Sequence, residues 1–530
     1  MVPTNLCFEE DAMEQFIARY RPFVTAVLSG FDRLVFRGTM LPLVIQGGMF
    51  TFLTRAGVQL LDFKNYVVSV SERVKEASLR TALEQARPVR YLESAALDKE
   101  ALARHLLAEH PVEQGLICVF KTVESFEYHR SADPRERGLR LRPSKCLHLY
   151  HYALHPLFGF FGARLQTWFP FNIQIWVNGR EWLARQLQKA GHSDFRRHDN
   201  CFTALGNPAL AQRLMDRQLK IGWKRGLDAI ARTLNPLHGC IFKPWPQSYY
   251  WSAYQSEWAT DLVFRNPQSL AAVYPALVQH AKTHFKSPDV LRFLGRKAHG
   301  NFTGELTGSF RQRPEGIRVK HWVNGNSIKM YDKAGSVLRI ETTIAKTTDF
   351  KVFRPLQDQP QRALAWRPLR KGIADLHRRA QLSQRANDSY LEALATVEDT
   401  TPLHQVFDHV AKPLTYHDRR VRALRIGDPN DIALLQAVSR GEFATAGFRN
   451  RDLRRLLHPT HFDASTADIR KLSARISRQL RILRAHGLIR KIPKSHRYRL
   501  TSKGHQLTAA LSAIRQTSLK RLIGTHPTPA

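Results

Sequence analysis

Residues Gly316 to Ile344 read GIRVKHWVNGNSIKMYDKAGSVLRIETTI. Asn324-Gly325 and Asp332-Lys333-Ala334-Gly335 supply turn chemistry between three runs, Gly316 to Val323, Ser327 to Tyr331 and Ser336 to Ile344, so the stretch predicts an antiparallel meander. Successive side chains of a strand point to opposite faces. Ile317, Val319, Ile328, Met330, Leu338 and Ile340 therefore share one side, and Arg318, Lys320, Lys329, Tyr331, Arg339 and Glu341 share the other. A lone glutamate among basic groups suits a phosphodiester held near a metal-binding carboxylate. The alternative is a solvated face on which Arg339 or Lys329 pairs with Glu341 across strands.

N-terminal to the meander, residues 1–131 alternate strand-like runs (Val24 to Phe36, Leu116 to Val123) with helical ones (Val70 to Gln85, Lys99 to Glu109). The basic stretch Ser131 to Lys145 reads as a loop and a domain boundary. Residues 146–365 form an aromatic-rich and antiparallel-sheet region with strands at Ala163 to Trp168 and Asn172 to Val177. A helix from Arg180 ends at Gly191. Asn207 to Lys286 reads as mostly helical, residues 366–426 as a helical connector, and 427–520 as a separate module.

In that module Ile469 to His486 places Leu472, Ile476, Leu480 and Leu483 on one helical face and Lys471, Arg475, Arg478, Arg481 and Arg484 on the other. The runs Leu488 to Ile492 and Arg497 to Thr501 then read as two strands around a basic turn, with Asn450 as the cap of the preceding helix. The residues LRILRAHGLIRK and HRYRLTSKG resemble the winged helix-turn-helix domains of bacterial transcription regulators. The resemblance implies duplex DNA binding, with the third helix in the major groove and Lys494 or Arg497 on the wing. A protein-interaction winged helix with a solvated arginine face is the alternative.

Charge agrees with a nucleic-acid partner. The 530 residues carry 81 Lys or Arg against 45 Asp or Glu, a net +36, and residues 451–530 alone hold 18 basic and three acidic side chains. At 43% hydrophobic the chain has ample material for packed cores. Its five dispersed cysteines give neither a disulfide framework nor a zinc finger. No secretory signal or membrane span is legible, so the expected place is the cytoplasm, on the nucleoid, with no membrane partner. No P-loop, dinucleotide turn or GxSxG elbow occurs, so ATP-driven and hydride-transfer chemistry lack support.

Further candidates are carboxylates. Glu257 and Asp261, read as helical, are neighbours at i, i+4 and with Glu341 or Asp332 would hold Mg²⁺ or Mn²⁺ for strand cleavage. Asp32 is a charge inside an apolar strand, as at the start of the metal site in ribonuclease-H-like folds, with Glu124 as its partner; an ion pair to Arg33 or Arg37 is the alternative. His148, His151 and His155 form a weaker metal set. The aromatics from Tyr249 to Trp258 suit either core packing or stacking on unpaired bases.

The segment KMYDKAGSVLRIETTI resembles a strand-turn-strand of rolling-circle replication initiators, a family that holds its metal with a His-hydrophobe-His pair absent from this sequence. The whole also looks like uncharacterised bacterial proteins associated with mobile DNA. The expectation is an α+β multidomain protein, a mixed α/β body with a central antiparallel sheet and a C-terminal winged helix. Its expected function is that of a mobile-element DNA-binding protein, a homodimer with metal-dependent nuclease or transposase activity. A non-catalytic transcription regulator and a single-stranded nucleic-acid or RNA-binding protein stand as alternatives.

Overall fold

The computed structural model describes residues 14–45, 47–131, 139–283, 285, 287–294, 306–313, 316–354, 365–395, 403–440, 443, 447–458, 466–492 and 495–516. Up to residue 344 its strands are β1 (Val24–Thr39), β2 (Val89–Tyr91), β3 (Gly115–Ser131), β4 (Leu139–His155), β5 (Gly159–Gln166), β6 (Ile173–Asn178), β7 (Phe195–His198), β8 (Cys201–Leu205), β9 (Tyr250–Phe264), β10 (Leu306–Arg313), β11 (Gly316–Val323), β12 (Asn326–Lys333) and β13 (Val337–Ile344). β7 and β8 form a small hairpin of their own. The others make one eleven-stranded sheet in the order β10-β11-β12-β13-β9-β1-β6-β5-β4-β3-β2.

β1 lies in the middle because its side chains are apolar on both faces, the pattern of a strand covered from both sides. The meander stands where the sequence puts it, with Lys329 opposite Glu341 and Tyr331 opposite Arg339. The sheet is mixed rather than antiparallel throughout, because β2 runs parallel to β3. Helix Lys99–Glu109 carries the chain back between those two strands, and a crossover of that kind delivers the next strand in the same direction.

The boundary read between residues 131 and 146 falls inside a hairpin. β3 and β4 pair from Gly115 opposite Leu154 to Ser131 opposite Leu139, so residues on both sides of it belong to one sheet. Residues 132–138 lie outside the described residues. The region 207–286 is also less helical than its pattern suggests, since β9 runs through it for 15 residues.

The segment 366–426 is more than a connector. Its helix Leu376–Leu394 crosses β9 and β13, where the Asn387 amide donates to the carbonyls of Ile340 (3.1 Å) and Trp258 (3.2 Å), and Trp258 Nε1 donates to Gln384 Oε1 at 2.6 Å. These polar residues make the helix look solvated in sequence, yet strand groups satisfy them in the interior. Helix Pro267–Thr283 packs on the same side, over Leu262, Leu338 and Ile340. The side chains of Glu257, Asp261, Arg339 and Glu341 point to the other side.

Beyond residue 428 come helices Pro429–Val438, Asn450–Leu457 and Thr466–Ala485, strands Ile489–Lys491 and Tyr498–Leu500, and helix Ser502–Gln516. They share a core of their own around Leu434, Leu453, Ile476, Leu480, Leu483 and Leu507. Asn450 opens the second helix without capping it. Its amide instead donates to Ser473 O at 2.7 Å and Ser477 Oγ at 2.8 Å, tying that helix to the third.

Candidate active site: a buried carboxylate cluster

Asp32, Glu257 and Glu341 come together on the side of the sheet opposite helix Leu376–Leu394, each offering an oxygen within 4.8 Å of the others. They stand on adjacent strands, β1, β9 and β13. Glu341 lies opposite Ala259, two residue pairs along from Glu257 and on the same face. Asp32 arrives by a different route. The ladder pairs Phe31 with Trp258 and then Arg33 with Glu257, leaving Asp32 as the extra residue of a β-bulge. A bulge turns its side chain out of the regular alternation, here toward the other two carboxylates.

Glu257 and Asp261 belong to this strand, not to a helix. Four residues along a strand put them on one face but roughly 13 Å apart, too far to share one ion. Asp261 has its own partners: Arg180 Nη2 and Arg339 Nη2 each donate to Oδ2 at 2.8 Å, and all three side chains are buried. Burial pushes against ionisation of Asp261, but Arg339 and Arg180 outweigh it and hold the carboxyl below the usual carboxylate range. Asp261 is a structural anchor beside the cluster, and Asp32 takes its place in it.

Arg339 also faces the cluster, its Nη1 3.1 Å from Asp32 Oδ1, while Asn200 Nδ2 donates to Asp32 Oδ2 at 2.7 Å. The expected partners of Asp32 are engaged differently. Glu124 accepts from Tyr150 (2.6 Å) and Arg164 (2.9 Å), and the Arg33 guanidinium lies 3.8 Å from Glu100. Lys329 pairs with Glu341, which also accepts from Tyr331 OH at 2.7 Å. The cross-strand pair foreseen for this face thus exists, but Glu341 is 1% exposed rather than solvated.

The three carboxyls do not titrate alike. Burial lifts Glu257 to about 7, and the charge of Glu341 adds to the rise. Asp32 also goes up, because burial outweighs Arg339. Glu341 goes down, since Lys329 and Arg339 overcome burial. Lys329 goes up in turn, as Glu341 and Glu257 overcome its own desolvation. One carboxylate is therefore firmly ionised with a lysine against it, beside two that hold protons readily, an arrangement a divalent cation could relieve.

Basic side chains approach along the same face. Arg318 and Lys320 on β11 are half-buried, and burial together with Lys329 and Arg318 lowers the Lys320 ammonium. On the C-terminal helix Thr466–Ala485, Lys471, Arg475, Arg478 and Arg481 are exposed, and Arg484 lies over the Tyr416 ring at 5.9 Å. Arg497 is turned inward, donating to Gly447 O at 2.9 Å with its guanidinium 5.0 Å from the Trp366 ring, so it is not presented on a wing. Lys494 lies outside the described residues.

The histidines do not converge. His148 and His151 are buried and pushed down to about 4 by desolvation, and His151 Nε2 lies 3.2 Å from Ser78 O. Of the aromatic run, Tyr249, Trp251 and Trp258 are core, while Tyr250 and Tyr254 are exposed. Among the described residues no helix is long and apolar enough to cross a membrane. Comparison with models of known families, with curated proteins and with solved structures finds no match.

Proposed function

We propose that this protein binds duplex DNA and cleaves a phosphodiester bond at Asp32, Glu257 and Glu341 with Mg²⁺ or Mn²⁺, as a nuclease or transposase of a mobile element would. The observation that carries the reading is the convergence of three carboxylates from three strands in a chain of net charge +36. Their spacing is one that a divalent cation spans with metal–oxygen bonds of roughly 2.0–2.6 Å. A bound ion would supply charge on a phosphoryl oxygen and a more acidic attacking water. Glu257, raised to about 7, is suited to take the proton of that water near neutral pH. Lys329, Lys320 and Arg33 offset charge on the phosphate.

The C-terminal helices and paired short strands support the winged-helix reading. Their order is helix, helix, helix, strand, strand, helix, and the exposed Lys471, Arg475, Arg478 and Arg481 supply a phosphate-facing surface. A second reading, a regulator without chemistry, is favoured by the cations already paired with the cluster, Arg339 on Asp32 and Lys329 on Glu341.

The test is incubation of the full chain with labelled single- and double-stranded DNA in Mg²⁺, in Mn²⁺ and in EDTA. The expected result is metal-dependent cutting, lost in Glu341→Gln and Asp32→Asn. Tight duplex binding with no cutting in either metal would leave the regulator.

A further inference from the structure

An open pocket of about 390 Å³ lies beside the carboxylate cluster, walled by Arg33, Lys99, Glu100, Arg104, Tyr152 and Trp176, with Asp199 at its rim. Two links join pocket and cluster. Arg33 pairs in register with Glu257, and Asn200, the neighbour of Asp199, holds Asp32. We infer that this pocket receives a single unpaired nucleotide of the DNA strand whose phosphate lies at the cluster. The inference rests on the DNA-cleaving reading and adds to it the form of the substrate.

The volume is that of a small-ligand site. Its wall is aromatic on one side: Tyr152 is 2% exposed, its ring packed on Phe160 and Trp176. The buried Trp176 Nε1 has no hydrogen-bond partner among the described residues. The indole lies flat against β5 because Gly162 has no side chain, and a Cβ there would run into Trp176 Nε1 and Cε2. Another wall is the first two turns of helix Lys99–Glu109, with Glu100 and Arg104 paired at 2.9 Å.

Most of the charge is already matched. Asp98 caps the helix through Ala101 N, Lys333 holds Asp199 at 2.8 Å, and Lys99 donates to Ala95 O at 2.6 Å. A bare phosphate finds little net attraction here. A base finds donors and an acceptor at Arg104 and Glu100, the half-buried indole of Trp176 as an apolar wall, and Arg33 at the cluster side for the linking phosphate, its side chain 46% exposed.

The test uses the full chain in EDTA, so that no cleavage intervenes, and oligonucleotides carrying one 2-aminopurine, fully paired or extrahelical. The expected result is a saturable fluorescence change for the extrahelical probe, weaker for the paired one. Arg104→Ala and Glu100→Gln, checked for unchanged circular dichroism, should weaken it by roughly tenfold or more, and Glu341→Gln should leave it intact. An identical response in the wild-type and pocket variants would overturn the inference. So would free deoxyadenosine monophosphate binding as tightly as the oligonucleotide, which would mark a site for free nucleotides. If Glu341→Gln loses cleavage while pocket variants keep the fluorescence response, the pocket assignment fails alone. A pocket-dependent response without cleavage in Mg²⁺ would sink only the catalytic reading.

Discussion

Arg339 Nη1 stands 3.1 Å from Asp32 Oδ1, two strands away across the sheet, while the same guanidinium donates to Asp261 on the strand between. One buried cation thus fixes two buried carboxylates, one structural and one in the candidate site. Removing a single member of such a group leaves uncompensated charge in the interior, which costs about 3–5 kcal/mol. Arg339→Met should lower the unfolding free energy read from urea denaturation by that order. Adding Asp32→Asn should recover part of the loss, because Asp261 keeps Arg180 while Asp32 has lost its guanidinium, and a strictly additive further loss would refute the coupling.

Glu257 gives a pH dependence of unusual sign. Its folded pKa, about 7, lies above the ordinary glutamate value of 4.5, so the folded state favours the protonated form. Its contribution is most favourable below pH 4.5 and declines as pH rises from there to about 7, by up to about 3 kcal/mol. In EDTA, Glu257→Gln should flatten the melting-temperature profile across that window and raise it above pH 7. An unchanged profile would mean that Glu257 is solvated.

Lys329 acts as the internal counter-ion of the cluster and competes with any metal. Mn²⁺ titrations followed by thermal shift should show stabilisation in the wild type, lost in Asp32→Asn. Lys329→Met should bind the metal roughly tenfold more tightly, since a nearby positive charge no longer opposes it. Weaker binding in Lys329→Met would show that the lysine helps to shape the site.

Duplex binding should respond differently to the two kinds of C-terminal arginine. Arg475→Ala or Arg478→Ala should weaken binding to all sequences alike and reduce the slope of log K against log salt by about 1. Arg497→Ala should lower thermal stability and leave that slope unchanged, because the side chain is buried against Gly447 and Trp366. A change in slope for Arg497→Ala would place it at the DNA.

The meander was legible because its turns and its period of two agree. The charged face followed from parity alone, including Lys329 opposite Glu341. β9 was not legible as a strand: Gln255 to Asp261 mixes polar and apolar residues in a way that fits either a helix or a strand with both faces buried. Asp32 stood out as a charge in an apolar run, but its partners come from β9, β13 and the turn between β7 and β8, at sequence separations that no local pattern reports. The helix Leu376–Leu394 reads as helical in sequence but not as part of the core, since its polar residues are satisfied by strands over a hundred residues away.

The bulge in β1 makes the site depend on chain length as well as on residue identity. Before Asp32 the strand is in one phase with β9, and after it in another, while the pairing with β6 begins only at Arg33. A chain one residue shorter here would keep its ladders and both packed faces. It would lose the place from which an aspartate reaches Glu257 and Glu341. Two proteins alike in every other respect could therefore share this sheet and differ in whether it performs chemistry, through a single inserted or deleted codon.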